Sequence, residues 1–248
     1  MGSPHSSIQR DARRVFQTTR WSVVSRAAGG NDEEAMRALS ALCGAYWYPI
    51  YAYYRRAGKD SHDAEDLTQG FFARLLEKET FAAADPRKGK LRTFLLTCAG
   101  NFMKDEHGRG EARKRGGGVL ESFDGRRAEG RYAKEPVDEL SPDRLFQRRW
   151  ALTVVENSLR ELRIEFTALG KAATFEALRP FLGFGSEPEK RYEDISAALG
   201  VPVGTLKNQV FRLRERWQKL LFDQVAETLD NPTPEEIKGE LMELLGCV

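Results

Sequence analysis

Cysteine is scarce: Cys43, Cys98 and Cys247 are the only three in 248 residues, and they lie far apart. An odd, scattered set argues against a disulfide framework and against a zinc site, and it suits a reducing, cytoplasmic compartment. Cys43 and Cys98 sit among apolar neighbours and read as small core residues. No run of about 18 apolar residues occurs, so no membrane insertion is expected. The N-terminal MGSPHSS has no apolar signal core. Histidine is equally sparse, with His5, His62 and His107 alone, and none has a convincing catalytic partner. A metal site built on His62, Asp63 and Asp66 would have one imidazole and no second cluster. The sequence also lacks a glycine-rich phosphate loop and a nucleophile elbow. These absences point away from an enzyme and imply neither cofactor nor metal.

Charge, by contrast, is abundant and segregated. The net value of +2 conceals strong local imbalances. Pro86 to Arg115 holds nine Lys or Arg against three acids; Asp60 to Glu79 holds six acids against two bases. Asp223 to Val248 holds seven acids against one base. Such segregation suggests one face for a polyanion and another for a basic partner.

Helical spacing dominates and alternating strand patterns are hard to find, so an all-α fold of two small helical domains is expected. After an N-terminal tail (residues 1–18), the first block covers residues 19–115. Ala35, Leu39, Leu42, Tyr46 and Ile50 mark one helical face, which Pro49 should kink or restart. Ala64, Leu67, Phe71 and Leu75 form a second stripe, and Phe94, Leu95, Cys98, Phe102 and Met103 a third. Gly116-Gly117-Gly118 opens a polar stretch to about Pro142 with no helical stripe, expected to be a flexible linker (residues 116–142). Ser141 before Pro142 is a helix start, and Leu145, Leu152, Val155, Leu159 and Leu162 line the helix that follows. A shorter helix is expected from Ala173 to Leu182.

The second block (residues 143–222) carries a helix-turn-helix pattern. Ser196 lies four before Gly200, where two helices must approach. Gly200 can take the left-handed conformation that ends the first helix, and Val201-Pro202 makes a tight turn. Leu206, Val210, Leu213 and Trp217 recur at helical spacing and face inward. Lys207, Asn208, Gln209, Arg212, Arg214 and Arg216 remain, side chains suited to base edges and phosphates in a major groove. A helix-turn-helix regulator acting without any polymerase fits this segment as well.

Residues 62–78 read HDAEDLTQGFFARLLEK and residues 91–109 read LRTFLLTCAGNFMKDEHGR, with Asn101 and Asp105 four apart. PVGT at Pro202 opens the basic helix. In order and separation these motifs resemble regions two and four of extracytoplasmic-function (group IV) RNA polymerase sigma factors, over roughly Thr19 to Leu221. The resemblance implies partners: core RNA polymerase, promoter DNA, and an anti-sigma factor or another regulator. It implies that Asp66, Gln69 and the apolar anchor Phe72 dock on polymerase. It also implies that Phe94, Asn101, Lys104, Asp105 and Arg109 serve the −10 element, with Arg87, Lys88, Lys90, Arg113, Lys114 and Arg115 supplying backbone charge. Thr205, Lys207, Asn208, Arg212 and Arg214 would read the −35 element. Gly108, where many relatives carry Arg, and the nearby Gly110 depart from the pattern.

An acidic C-terminal extension (residues 223–248) follows. Thr233 and Glu236 form a capping box for a helix from Pro234 to Leu245. Ile237, Leu241, Leu244 and Leu245 make its apolar stripe, and Glu235, Glu236, Glu240 and Glu243 its other side. A stripe of that length is expected to pack back on the chain. Its acids would then either lie near a basic DNA-binding surface or belong to a brace for the second block.

Overall fold

The computed structural model describes residues 33–75, 89–108, 125–134, 140–183, 191–229 and 232–247. Every regular element among them is helical: α1 (Glu33–Arg56), α2 (Ser61–Leu75), α3 (Leu91–Gly108), α4 (Gly125–Tyr132), α5 (Pro142–Ala168), α6 (Ala172–Leu178), a 3-10 turn (Arg179–Leu182), α7 (Tyr192–Leu199), α8 (Val203–Ala226) and α9 (Pro234–Leu245). The fold is all-α, as the sequence implies. The chain divides into two compact units. One falls within Met1–Thr153 and Val225–Val248, the other is Val154–Gln224.

The first unit is built around α1. Pro49 lies inside this helix without ending it, so of the kink or restart expected there the restart does not occur. Nine consecutive residues, Tyr46 to Tyr54, are buried. A helix apolar on all sides must be covered on all sides, and α2 and α4 both pack against it. From α5, Trp150 stacks on Tyr46 at 4.1 Å between ring centroids. Such a pair contributes about 0.5–1.5 kcal/mol beyond the area it buries. On α2 the buried set is Ala64, Thr68, Phe71, Phe72 and Leu75, with Leu67 only half-buried. Thr68 is tolerated there because its hydroxyl donates to the Ala64 carbonyl at 2.6 Å.

On α3 the inward positions are Leu91, Leu95 and Ala99, whereas Phe94 and Cys98 are half-buried. The true stripe is rotated from the expected one, and α3 lies close against α1 and α2: the Tyr54 hydroxyl donates to the Ala99 carbonyl at 3.1 Å. Gly70 is one reason: a Cβ there would meet the Phe102 ring at 3.0 Å. Within the stretch expected to be a linker, α4 packs on α1 and α2. Its anchor is polar, which is why no apolar stripe announces it. Glu129 takes two hydrogen bonds from the Arg55 guanidinium, at 2.9 and 2.7 Å, and one from the Tyr51 hydroxyl at 2.6 Å. The Arg131 guanidinium lies 4.1 Å from the Tyr48 ring centroid.

The last helix, α9, belongs to this first unit. Thr233 caps it and Glu236 closes the capping box. Ile237 and Leu244 are buried as expected, but so is Glu240, with 3% of its surface exposed. It leaves the solvated side because Arg92 of α3, equally buried, donates to it at 2.7 and 3.2 Å. The helix therefore packs within the first unit and not on the second block.

In the second unit, Ser158 of α5 accepts the Trp217 indole N–H at 2.8 Å and donates to the Val155 carbonyl at 2.8 Å. Phe175, Leu178, Ile195, Leu206, Val210, Leu213 and Leu220 fill the core. The helix expected over 173–182 splits at Arg179 into α6 and the 3-10 turn, since Pro180 has no N–H to continue an α ladder.

Candidate functional site

Gly200 closes α7 in the left-handed conformation, with φ of 65°, and its N–H bonds the Ser196 carbonyl. The chain turns through Val201-Pro202 into α8. Leu206, Val210, Leu213 and Trp217 are all buried. The opposite side of α8 is left to solvent: Thr205, Lys207, Asn208, Phe211 and Arg212 are exposed. The Lys207 ammonium sits 5.8 Å from the Tyr192 ring centroid of α7. Phe211, which the helical spacing does not single out, is 63% exposed. An aromatic at the centre of an otherwise polar face is the signal that could have found it, since apolar contact is how thymine methyls are read.

Two arginines behave differently from the expectation. Arg214 gives Nε and Nη2 to the Phe181 carbonyl at 3.0 and 2.6 Å. Two of its five donors thus hold the 3-10 turn, and the guanidinium is tied to that anchor. Arg216 pairs with Glu165, one contact at 2.8 Å, and points away from the exposed face.

On α3, Thr93, Thr97, Asn101, Lys104 and Asp105 are exposed. Their numbering advances by three or four, so they run as one stripe along the helix. Phe94, at the head of this face, is half-buried. The face thus combines donors, acceptors, a cation and an aromatic, the set that captures unstacked bases. Arg109 lies outside the described residues, as do Arg87, Lys88, Arg113, Lys114 and Arg115. Lys90, just before α3, makes a 2.6 Å contact with Glu243 and a second with Glu240.

On α2, Asp66 is exposed and 3.3 Å from the His62 ring nitrogen Nδ1. The Gln69 amide donates to Glu65 at 3.3 Å. An open groove of about 710 Å³ runs along this helix, lined by Glu65, Asp66 and Gln69 and closed on its other side by Glu129 of α4. Arg55 and Tyr51 hold the Glu129 carboxyl below the usual carboxylate range, the Arg55 hydrogen bonds contributing most. Phe72 must be corrected: none of its surface is exposed. It is wedged in the core beside Phe71 at 5.1 Å and cannot be a surface anchor. No group of three or more His, Cys, Asp or Glu suited to a metal ion exists among the described residues. No helix among them is long and apolar enough to cross a membrane.

Residues 45–113 match the sigma-70 region 2 family. These residues include the buried half of α1, all of α2 and all of α3. Among curated proteins, the chain is 24% identical over 197 residues to ECF RNA polymerase sigma factor SigE of Mycolicibacterium smegmatis. That alignment covers 79% of this chain and 66% of the relative, just under two thirds of its length. No solved structure is significantly similar. The region 2 match falls on the helices that carry the exposed α2 and α3 faces, so residues 45–113 form a sigma-70 region 2, and over 79% of its length the chain is similar to an extracytoplasmic-function RNA polymerase sigma factor.

Proposed function

We propose that this chain is an alternative sigma factor: it binds core RNA polymerase, recognises −10 and −35 promoter elements and helps open DNA for initiation. The observation that carries this reading is the region 2 match over α2 and α3, of which α2 exposes the acids Asp63 and Asp66 and α3 a mixed polar face. The acidic α2 face, with Asp66 and Gln69, serves polymerase. The α3 face, with Phe94, Asn101, Lys104 and Asp105, serves the melted −10 strand, joined by Arg109. The α8 face, with Thr205, Lys207, Asn208 and Arg212, reads the −35 duplex. Arg214 contributes backbone charge from its anchored position, and Phe211 adds an apolar contact. The protein performs no catalysis of its own. A regulator, an anti-sigma factor or another protein, completes the set of partners.

Run-off transcription with purified core polymerase tests this, using promoter fragments selected by the reconstituted holoenzyme. Sigma activity requires transcripts that depend on both the chain and the core enzyme. Tight, sequence-specific duplex binding by the chain alone, with no dependent transcript, would instead support a helix-turn-helix regulator acting without polymerase.

A further inference from the structure

We infer that α9 is an internal competitor for part of the −10 surface: Glu240 and Glu243 occupy Lys90 and Arg92, the two cations at the head of α3, until DNA phosphates replace them. The inference rests on the reading of α3 as a DNA-binding helix. Arg92 donates Nε and Nη2 to the two carboxylate oxygens of Glu240 at 2.7 and 3.2 Å. It also gives Nη2 to Glu243 at 2.7 Å. Gln147 of α5 accepts a further contact from its Nη1. Lys90 bridges both acids. The two cations hold the Glu243 carboxyl below the usual carboxylate range, the Lys90 hydrogen bond contributing most.

A brace alone would need only Ile237 and Leu244, which are already buried. A buried ion pair is a poor way to gain stability, and its best-attested use is to set a register or a switch. The pattern here is two carboxylates set against two cations that directly precede the exposed stripe of Thr93, Thr97, Asn101 and Lys104. A forked guanidinium–carboxylate contact is also the geometry that a phosphate reproduces. Lys90 keeps a third of its side-chain surface exposed and Glu243 more than half, 55%. Exchange can therefore start at that outer pair and proceed inward to Arg92.

The test uses the 248-residue chain and a fluorescein-labelled, mixed-sequence single-stranded DNA, with affinity measured by anisotropy across a salt series. Glu243 is exposed enough that E243Q keeps the fold, which circular dichroism checks. E243Q is expected to bind more tightly than the parent at low salt. The log–log salt slope should steepen by up to about 0.7 for each cation released. A chain ending at Leu229 should show the larger effect. Adding K90Q to E243Q should abolish the gain, which separates local release from a general loss of negative charge. K104Q, outside the contact, tests the underlying surface. If K104Q weakens binding while E243Q and the truncation leave affinity and slope unchanged, the competition is overturned and α9 is a brace. If K104Q also has no effect, α3 is not the DNA surface and both readings fall.

Discussion

Asp66 and Phe72 show how far a single position's surroundings decide its role. They sit six residues apart on α2, and the family resemblance assigns both to polymerase contact. Asp66 keeps 57% of its side chain in water, whereas Phe72 keeps none of its surface there. Reversing Asp66 to Lys should leave the helical signal and melting temperature intact and weaken core binding by about 2–5 kcal/mol. Equal affinity in a titration against core polymerase would remove Asp66 from the docking surface. Phe72→Ala should do the reverse. It opens a cavity costing about 3–5 kcal/mol, read as a lower melting temperature in the isolated chain. On α8 the same contrast separates Arg212 from Arg216. Arg212→Ala or Asn208→Ala should change preference in the −35 half alone, by about 1–3 kcal/mol per base contact. Arg216→Ala removes a half-exposed pair with Glu165, worth under about 1 kcal/mol, and should leave that preference unchanged in selection from randomised promoters.

At the scale of elements, what was legible in the sequence followed the apolar period, and what was missed followed polar contacts. Leu206, Val210, Leu213 and Trp217 could be read because four apolar side chains at helical spacing leave one arrangement of the helix. The Thr233–Glu236 capping box was equally plain, since it is wholly local. By contrast, α4 is held by Glu129 on Arg55 and Tyr51, over 70 residues away in sequence, and a glutamate among arginines carries no such signal. Burial of Glu240 was hidden in the same way, because its partner Arg92 lies 148 residues earlier. The α3 face was named from the resemblance, but which of its apolar residues turn inward depends on how closely α3 packs on α2. Gly200 gives the sharpest test of a local reading. Its φ of 65° is strained for any residue with a Cβ, so Gly200→Ala should cost about 1–2 kcal/mol. No neighbouring atom lies within 4 Å of the added methyl, so the loss reflects backbone conformation alone. Gly200→Asn should then recover part of it, as thermal melts of the two variants would show.

For the whole molecule, the two units have different chemistry in their cores, and this sets how each responds to alkali. Tyr46, Tyr48, Tyr51, Tyr53 and Tyr54 cluster on α1, and burial is the leading cause that pushes all five hydroxyls above the ordinary value. Burial also pushes the Cys43 thiol up to about 12. In the unfolded chain these groups ionise near their ordinary values, about 8.5 for the thiol and about 10 for the phenols. Above those values the unfolded chain has released protons that the folded first unit still holds, so stability falls as pH rises. Their contribution is complete below about pH 8 and is lost progressively from pH 9 to 12. The second unit has Tyr192 as its one tyrosine, so alkaline unfolding should begin in the first unit. Tyrosinate absorbance followed across this range should lag the free phenol curve and then rise steeply, together with loss of helix. Cys43 should stay unreactive toward a thiol reagent until the same transition. Five phenols titrating smoothly near pH 10 with the helical signal intact would mean that the α1 core admits charge, and would overturn its account as the closed centre of the first unit.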